Sequence, residues 1–413
     1  MSGILRLPAL TVTTRHSPSV YLWQHSQTLP NDGVLIGINE LAGGQALRYD
    51  PWTCYARGIV TSPNMMVAGQ LGRGKSALVK TYLHRQLLAG RQAYILDPKG
   101  EYAPLAAAHG LTVIRLRPGG QTRLNPLDPP LGSVNREHAT TARASVVAAL
   151  AGSGLGRELT SEERAGLSAA VRGLTAGGLL ADAADALLHP TEEMAVGLST
   201  TTAALAAALR PVALELHRLL SGDLAGMVNG PSTVTLDPHG PGAVVDLSAV
   251  VNTDAQAAVM VCAGAWLAAA LDVDTARRRL LLVDEAWALL ANTATTRWLQ
   301  QISKLARARG IQLITVIHRF SDLAAQADVG TAAHAQARGL LADAETRVLY
   351  GQAPGERQLA TDMLGLSRPE ADLVCTLGPY RALWRVGEHT AVVDHILSDT
   401  ERILVDTDAR MQP

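Results

Sequence analysis

Residues 64–76 read Asn-Met-Met-Val-Ala-Gly-Gln-Leu-Gly-Arg-Gly-Lys-Ser. A short apolar run ends in a glycine-rich turn, and an Ala/Leu/Val pattern at helical spacing follows at once. This is the order strand, phosphate-binding loop, helix. Backbone N–H groups at a helix N-terminus are unpaired donors aligned with the helix dipole, so such a turn accepts a polyanion. Gly69, Gly72 and Gly74 let the backbone approach closely. The candidate nucleotide contacts are the whole turn, Gly69, Gln70, Leu71, Gly72, Arg73 and Gly74, continued by Lys75, Ser76 and Ala77 on the first helical turn. Lys75 can reach β/γ-phosphate oxygens and the Ser76 hydroxyl can hold Mg²⁺. A glycine-rich strand-to-helix turn that binds nothing is the bland alternative, and deciding between the two requires a second half of the site.

That second half is expected at Leu280-Leu281-Leu282-Val283, which runs into Asp284-Glu285-Ala286-Trp287. In a parallel sheet all strand C-termini share one edge, so Asp284 can join Ser76 around Mg²⁺ while Glu285 orients and deprotonates the attacking water. Acidic residues also favour helix N-termini for purely structural reasons. It is the pairing with an upstream phosphate loop that selects ATP hydrolysis.

Between the two halves the rhythm is βαβ. Ala93–Leu96 and Thr112–Leu116 read as strands, the first ending in Asp97-Pro98-Lys99-Gly100-Glu101-Tyr102. From about Pro130 to Val234 the strand signal disappears. Helix starts are legible at Thr160 with Glu163, a capping box, and at Thr191. Leu205, Leu209, Leu214, Leu216, Leu219 and Leu220 recur at spacings compatible with one helical face. Strands return at Ala243–Leu247, a helix from Thr253 boxed by Gln256 follows, and further strands are expected at Gln312–Ile317, Arg347–Tyr350 and Arg381–Val386. Upstream, Gly33–Asn39 and Ala46–Tyr49 read as a hairpin. Asp50-Pro51-Trp52 either lines the adenine or packs as a turn, packing being preferred. The expected division is 1–32 unassigned, 33–129 first part of the ATPase domain, 130–235 helical insertion, and 236–413 second part.

His318, at the tip of the 312–317 strand, is placed to sense γ-phosphate or water, though a lone His is often structural. Arg307, Arg309, Arg338 and Arg347 are candidates for an arginine finger across a subunit boundary, since Arg neutralises charge on a transferring phosphoryl group. For any one of them a surface ion pair is the plainer role.

Composition bounds the rest. Hydrophobic residues are 47 % of the 413 and aromatics only 4 %, so the core is built from Ala, Leu and Val, which favours helices and parallel strands. A net charge of −1 argues against a dedicated duplex-DNA binder, without excluding a basic pore formed on assembly. Cys54, Cys262 and Cys375 form no CxxC pair, which suggests neither zinc nor disulfides and fits a reducing cytosol. No signal peptide is read at the N-terminus. The apolar run Ala257–Leu271 is shorter than the ~20 residues of a membrane span, so a buried helix is expected there.

In order, Gly-Gln-Leu-Gly-Arg-Gly-Lys-Ser, Ile-Leu-Asp-Pro-Lys-Gly-Glu-Tyr, Leu-Asn-Pro-Leu-Asp, a helical stretch, Val-Val-Asp-Leu-Ser, Leu-Leu-Val-Asp-Glu-Ala-Trp and Thr-Val-Ile-His-Arg-Phe-Ser-Asp-Leu resemble the ATPase half of the conjugation and type IV secretion ATPases. These are the VirB-type and TraC-type members of the HerA–FtsK superfamily. The resemblance runs from about Gly33 to the C-terminus, and its most specific parts are 97–102 and 284–287. It implies an α/β, RecA-like P-loop NTPase with a mainly parallel central sheet and an all-α insertion domain. It further implies ATP and Mg²⁺ as cofactors and a homo-hexameric ring, cytoplasmic and peripheral at the inner face of the cell membrane. The partners implied are membrane-bound secretion or conjugation components, and no transmembrane segment is expected in the chain. Lys75 and Ser76 carry over as phosphate and Mg²⁺ ligands, Asp284 and Glu285 as the second acidic motif, and His318 falls where relatives often have Gln. Relatives carry a large N-terminal docking domain; here a separate chain supplies it or the sequence is trimmed. Two other readings stand beside the secretion ATPase: a DNA-translocating motor of the FtsK or coupling-protein kind, and a nucleotide-switched scaffold, against which Glu285 argues.

Overall fold

The structure is a computed structural model that describes residues 29–128, 136–175, 177–250, 255–271, 277–290, 293–318, 339, 341 and 343–406, less the side chains of 136, 138 and 305–307. In chain order the elements are β1 (Val34–Asn39), β2 (Gln45–Tyr49), α1 (Pro51–Ala56), β3 (Met65–Ala68), α2 (Lys75–Leu88), β4 (Gln92–Asp97), α3 (Ala103–His109) and β5 (Thr112–Arg115). Next come α4 (Arg136–Leu155), α5 (Ser161–Gly173), α6 (Leu180–Leu188), α7 (Glu192–Gly197) and α8 (Thr202–Ser221). The chain continues with β6 (Gly242–Asp246), α9 (Gln256–Ala270), β7 (Arg279–Val283), α10 (Trp287–Leu290), α11 (Thr293–Ala308), β8 (Ile311–Ile317) and β9 (Thr346–Tyr350). It closes with α12 (Arg357–Leu364), α13 (Arg368–Val374), β10 (Arg381–Val386), β11 (His389–His395) and α14 (Asp399–Val405).

Among the described residues, eleven strands form one sheet, ordered β2-β1-β11-β10-β9-β3-β8-β7-β4-β6-β5. The run from β9 to β5 is parallel throughout, and the strands beyond β9 are antiparallel. β3, β4, β7 and β8 are buried along their whole length, which is why they read as continuous apolar runs rather than alternating ones. Period-two geometry still sorts their side chains between faces. Met65, Val67, Ile95, Leu280 and Leu282 join the cluster under α2, with Leu78, Tyr82 and Leu83. Met66, Leu96, Leu281 and Val283 face the other way, into the cluster that also takes α9.

The helices α4 to α8 lie between β5 and β6, and their apolar faces belong to that second cluster: Val147 and Leu150 of α4 and Leu209 and Leu216 of α8 share it with the sheet. The helical block packs on itself, α8 against α4, α5 and α6, and its α4 lies on α9 and α11, so its core is continuous with that of the sheet domain. Its exit is tied to its entry by backbone bonds, Leu124 N to Met227 O at 2.9 Å and Thr233 N to Arg123 O at 2.9 Å. The capping box at Thr160 and Glu163 is formed, and Thr191 caps α7. Leu214 departs from the expected face: it is 47 % exposed, because the buried row of α8 runs through Leu205, Leu209, Val212, Leu216 and Leu219 and leaves it on the far side. Leu209 is fully buried against Gly166, where even a Cβ would come within 2.6 Å of Leu209 Cδ2. Leu209→Ala is expected to cost about 2–5 kcal/mol, seen as a lower denaturant midpoint with an unchanged slope.

Two further readings are revised, and the preferred packing of Trp52 is what the structure shows. α9 begins at Gln256 with Ala255 at its cap and no capping side chain, and Thr253 lies outside the described residues. β11 went unread in the sequence; it pairs with β10 across the tight turn at Gly387-Glu388, whose glycine has φ 56°. Trp52 packs rather than lining a base. It sits in α1, donates from Nε1 to Gly310 O at 2.7 Å and lies under the Arg91 guanidinium, at the end of β8 opposite the phosphate loop.

Candidate active site

The loop 69–74 leaves the C-terminal end of β3 in the interior of the sheet, between β9 and β8. Open α/β sheets bind ligands beyond the carboxyl ends of such strands. A Cβ on Gly69 would lie 2.5 Å from Tyr350 Cβ, so only glycine lets the chain leave β3 beside β9. Gly74 takes φ 105° and caps α2 without any side-chain bond. The loop is held from outside by two backbone contacts, Gln70 N to Gly351 O at 3.1 Å and Tyr380 N to Arg73 O at 2.9 Å. Lys75 is buried, and its ammonium donates to Gln70 O at 2.7 Å. Burial first and the neighbouring Lys99 charge second bring its pKa down to about 8. Ser76 is half-buried, Ala77 is buried, and Leu71 projects into solvent at the loop tip.

β7 delivers Asp284 and Glu285 to the same edge. Asp284 Oδ2 accepts from the buried Tyr102 hydroxyl at 3.0 Å, and Oδ1 accepts from Glu285 N at 2.9 Å. Burial, then the Glu285 charge, raise the Asp284 carboxyl above the usual range. Glu285 has φ 52°, a left-handed backbone unusual for a residue with a long side chain. Its Oε1 lies 2.6 Å from His318 Nε2 and also meets the Lys99 ammonium, while Oε2 accepts from Trp287 Nε1. Burial on its own would raise this carboxyl; the His318 bond and charge and the Lys99 contact reverse that and bring it to about 2.

Lys99 and Tyr102 come from the turn after β4, which Asp97 organises. Its Oδ1 accepts from Gly100 N at 2.8 Å and Glu101 N at 3.1 Å, and Oδ2 from Tyr102 N at 3.0 Å. Despite these bonds, burial leaves Asp97 raised to about 6. Behind the turn, buried Lys80 of α2 pairs with Glu101 at 3.5 Å and lies over the Tyr102 ring.

Lys75, Asp284, Glu285 and His318 are thus brought together. Arg347 and Arg309 are not. Arg347 stands at the opposite end of β9, where its Nε donates to Ala344 O at 2.9 Å and Nη1 to Leu364 O at 2.8 Å; it ties α12 to the sheet. Arg309 precedes β8 and lies at that same remote edge. Arg338 and the Arg307 side chain lie outside the described residues. Lys99, Tyr102 and Trp287 carry contacts that the sequence reading left unassigned, although all three fall inside the two stretches it singled out as most specific.

The loop fits a nucleotide phosphate chain: a buried ammonium lies beneath positive-φ glycines and a helix N-terminus free of side-chain caps. Among the described residues no three His, Cys, Asp or Glu gather into a self-sufficient metal cage. A Mg²⁺ held by Asp284 and Ser76 together with phosphate oxygens and water needs none.

No family model matches the chain, and no curated protein matches it by sequence. Solved structures do match. VirB4 of Thermoanaerobacter pseudethanolicus superposes with a TM-score of 0.71 at 21 % identity, covering 91 % of this chain and 99 % of that one. The plasmid coupling protein TrwB in complex with the ATP analogue ADPNP gives 0.58 at 17 % identity, covering 91 % of each chain. TrwB in complex with ADP and Mg²⁺ gives 0.57 at 17 %, covering 91 % and 90 %. At these identities the likeness is one of fold, the RecA-like P-loop architecture with a mainly parallel sheet.

Proposed function

We propose that this chain is an ATP-hydrolysing motor that energises conjugative DNA transfer or type IV secretion, working as an oligomeric ring. The observation that carries the reading is the meeting, at one sheet edge, of the Lys75 loop with Asp284 and Glu285. The fold shared with VirB4 and TrwB gives that site its motor context. The backbone N–H groups of 69–77 and the Lys75 ammonium hold the phosphates of ATP, and Ser76 and Asp284 hold Mg²⁺. Bound Mg²⁺ supplies charge neutralisation at the phosphate oxygens. Glu285 orients the attacking water and takes its proton, and His318 fixes the Glu285 carboxylate. Segments 33–129 and 236–413 form the motor, and 130–235 is its all-helical insertion.

No helix among the described residues is long and apolar enough to cross a membrane. The ring of the proposal is a homo-hexamer that docks on membrane-bound secretion or conjugation partners at the inner face of the cell membrane. Arg307, Arg309 and Arg338 are the candidates for an arginine supplied in trans, Arg347 being tied to α12.

Phosphate release measured against protein concentration, with and without DNA, tests the proposal. The rate per chain is expected to climb as rings assemble; a rate that stays flat while sedimentation shows assembly contradicts catalysis across subunits. Strong, salt-sensitive stimulation by DNA would instead favour a DNA-translocating motor. Tyr102→Phe removes the hydroxyl bonded to Asp284 and is expected to raise the Mg²⁺ concentration for half-maximal turnover by about tenfold, the worth of one hydrogen bond to a charged group. An unchanged Mg²⁺ titration would show that Tyr102 only packs.

A further inference from the structure

We propose that Lys99 is the residue by which the site tells a triphosphate from a diphosphate: its ammonium holds Glu285 until a terminal phosphate draws it away, leaving Glu285 to the attacking water. The proposal rests on the ATP reading above.

Three observations support it. First, Lys99 touches the proposed water-activating carboxylate itself, at Glu285 Oε1, and its charge also reaches Lys75 on the phosphate loop. It therefore stands between the two halves of the site, within electrostatic reach of the ammonium proposed to hold the phosphates. Second, the pair is unequal. The Lys99 side chain is 30 % exposed, on a flexible four-carbon stem followed by Gly100 at φ 71°. The Glu285 side chain is 4 % exposed and pinned by Trp287 on its other oxygen. When the pair opens, the lysine is the partner that moves. A terminal phosphate carries more charge and more acceptor oxygens than one carboxylate, so it wins the ammonium.

Third, His318 Nε2 lies 3.0 Å from Lys99 Nζ and 2.6 Å from Glu285 Oε1. One ring nitrogen cannot both accept from the lysine and donate to the carboxylate. The triad therefore has two arrangements. In one, Lys99 donates to both Glu285 and His318. In the other, Lys99 has left and His318 donates to Glu285, keeping the carboxylate in place. This gives the switch two definite states rather than a merely loosened one.

The test is titration calorimetry on the full chain with Mg²⁺ and either ADP or the β,γ-imido analogue of ATP. Lys99→Met is expected to weaken the analogue by about tenfold and ADP by less than about twofold, consistent with loss of one charge-assisted contact to the terminal phosphate. Lys99→Arg should keep most of the discrimination. Glu285→Gln frees Lys99, so it should tighten the analogue in the presence of Lys99 and do nothing in the Lys99→Met background. Equal losses for both nucleotides, or a Glu285→Gln effect that persists without Lys99, overturns the proposal even if Lys99→Met lowers the thermal midpoint. A wild-type chain that binds neither nucleotide defeats the ATP reading, and this proposal with it.

Discussion

Replacing Glu285 with Gln is expected to slow phosphate release from ATP by roughly a hundred- to ten-thousand-fold, the usual contribution of a positioned general base, while nucleotide still binds. Gln keeps the side-chain shape and can still accept from Trp287 Nε1, so the left-handed turn at Glu285 and the seating of α10 should survive. What it lacks is a charge to polarise water and an oxygen to take a proton. The carboxylate is ionised throughout the physiological range, because His318 and Lys99 overcome the effect of burial and hold it near pKa 2. Loss of turnover in this variant therefore reports on the carboxylate itself. A phosphate-release assay paired with equilibrium binding of a fluorescent ATP analogue separates the two effects, and unchanged turnover would remove Glu285 from the chemistry.

Lys75→Ala is expected to weaken binding of the same analogue by about 10- to 100-fold, corresponding to about 1.5–3 kcal/mol for hydrogen bonds to a charged donor, with turnover falling in parallel. The ammonium is held under the loop by Gln70 O at 2.7 Å, so it is already buried and aimed before any ligand arrives. Removing it leaves the Gln70 carbonyl unpaired and withdraws the one lysine that the loop itself contributes. The backbone cradle remains, since its shape is set by glycines and by the contacts to Gly351 and Tyr380. Residual weak binding is therefore expected. Full affinity would mean that the loop is only a turn.

The parallel strands were legible because burial on both faces demands unbroken apolar runs, and β3, β4, β7 and β8 have them. The loop and the Asp284-Glu285 tip were legible because their chemistry is local in sequence. Three things were not. β11 has only Ala391-Val392-Val393 as a buried apolar run, flanked by polar residues at both ends, too short to read as a strand without its pairing with β10. The face of α8 was misread at Leu214, where leucine content was taken for burial. The roles of Lys99 and Tyr102 depend on convergence: Lys99 and His318 are 219 residues apart and meet only because β4 and β8 end at one sheet edge. The arginine candidates show the converse. Arg347 looked available as a charge at the start of a strand, but its guanidinium is taken up by the Ala344 and Leu364 carbonyls.

The central claim is that one composite site, Lys75 with Asp284 and Glu285, hydrolyses ATP. Its most direct test is phosphate release by the purified chain at ring-forming concentration, with Mg²⁺ and then with excess EDTA, beside the Glu285→Gln variant. The expected result is steady release that needs Mg²⁺ and is lost in the variant. No release from the assembled wild-type chain, or release that continues in EDTA or in Glu285→Gln, would contradict it.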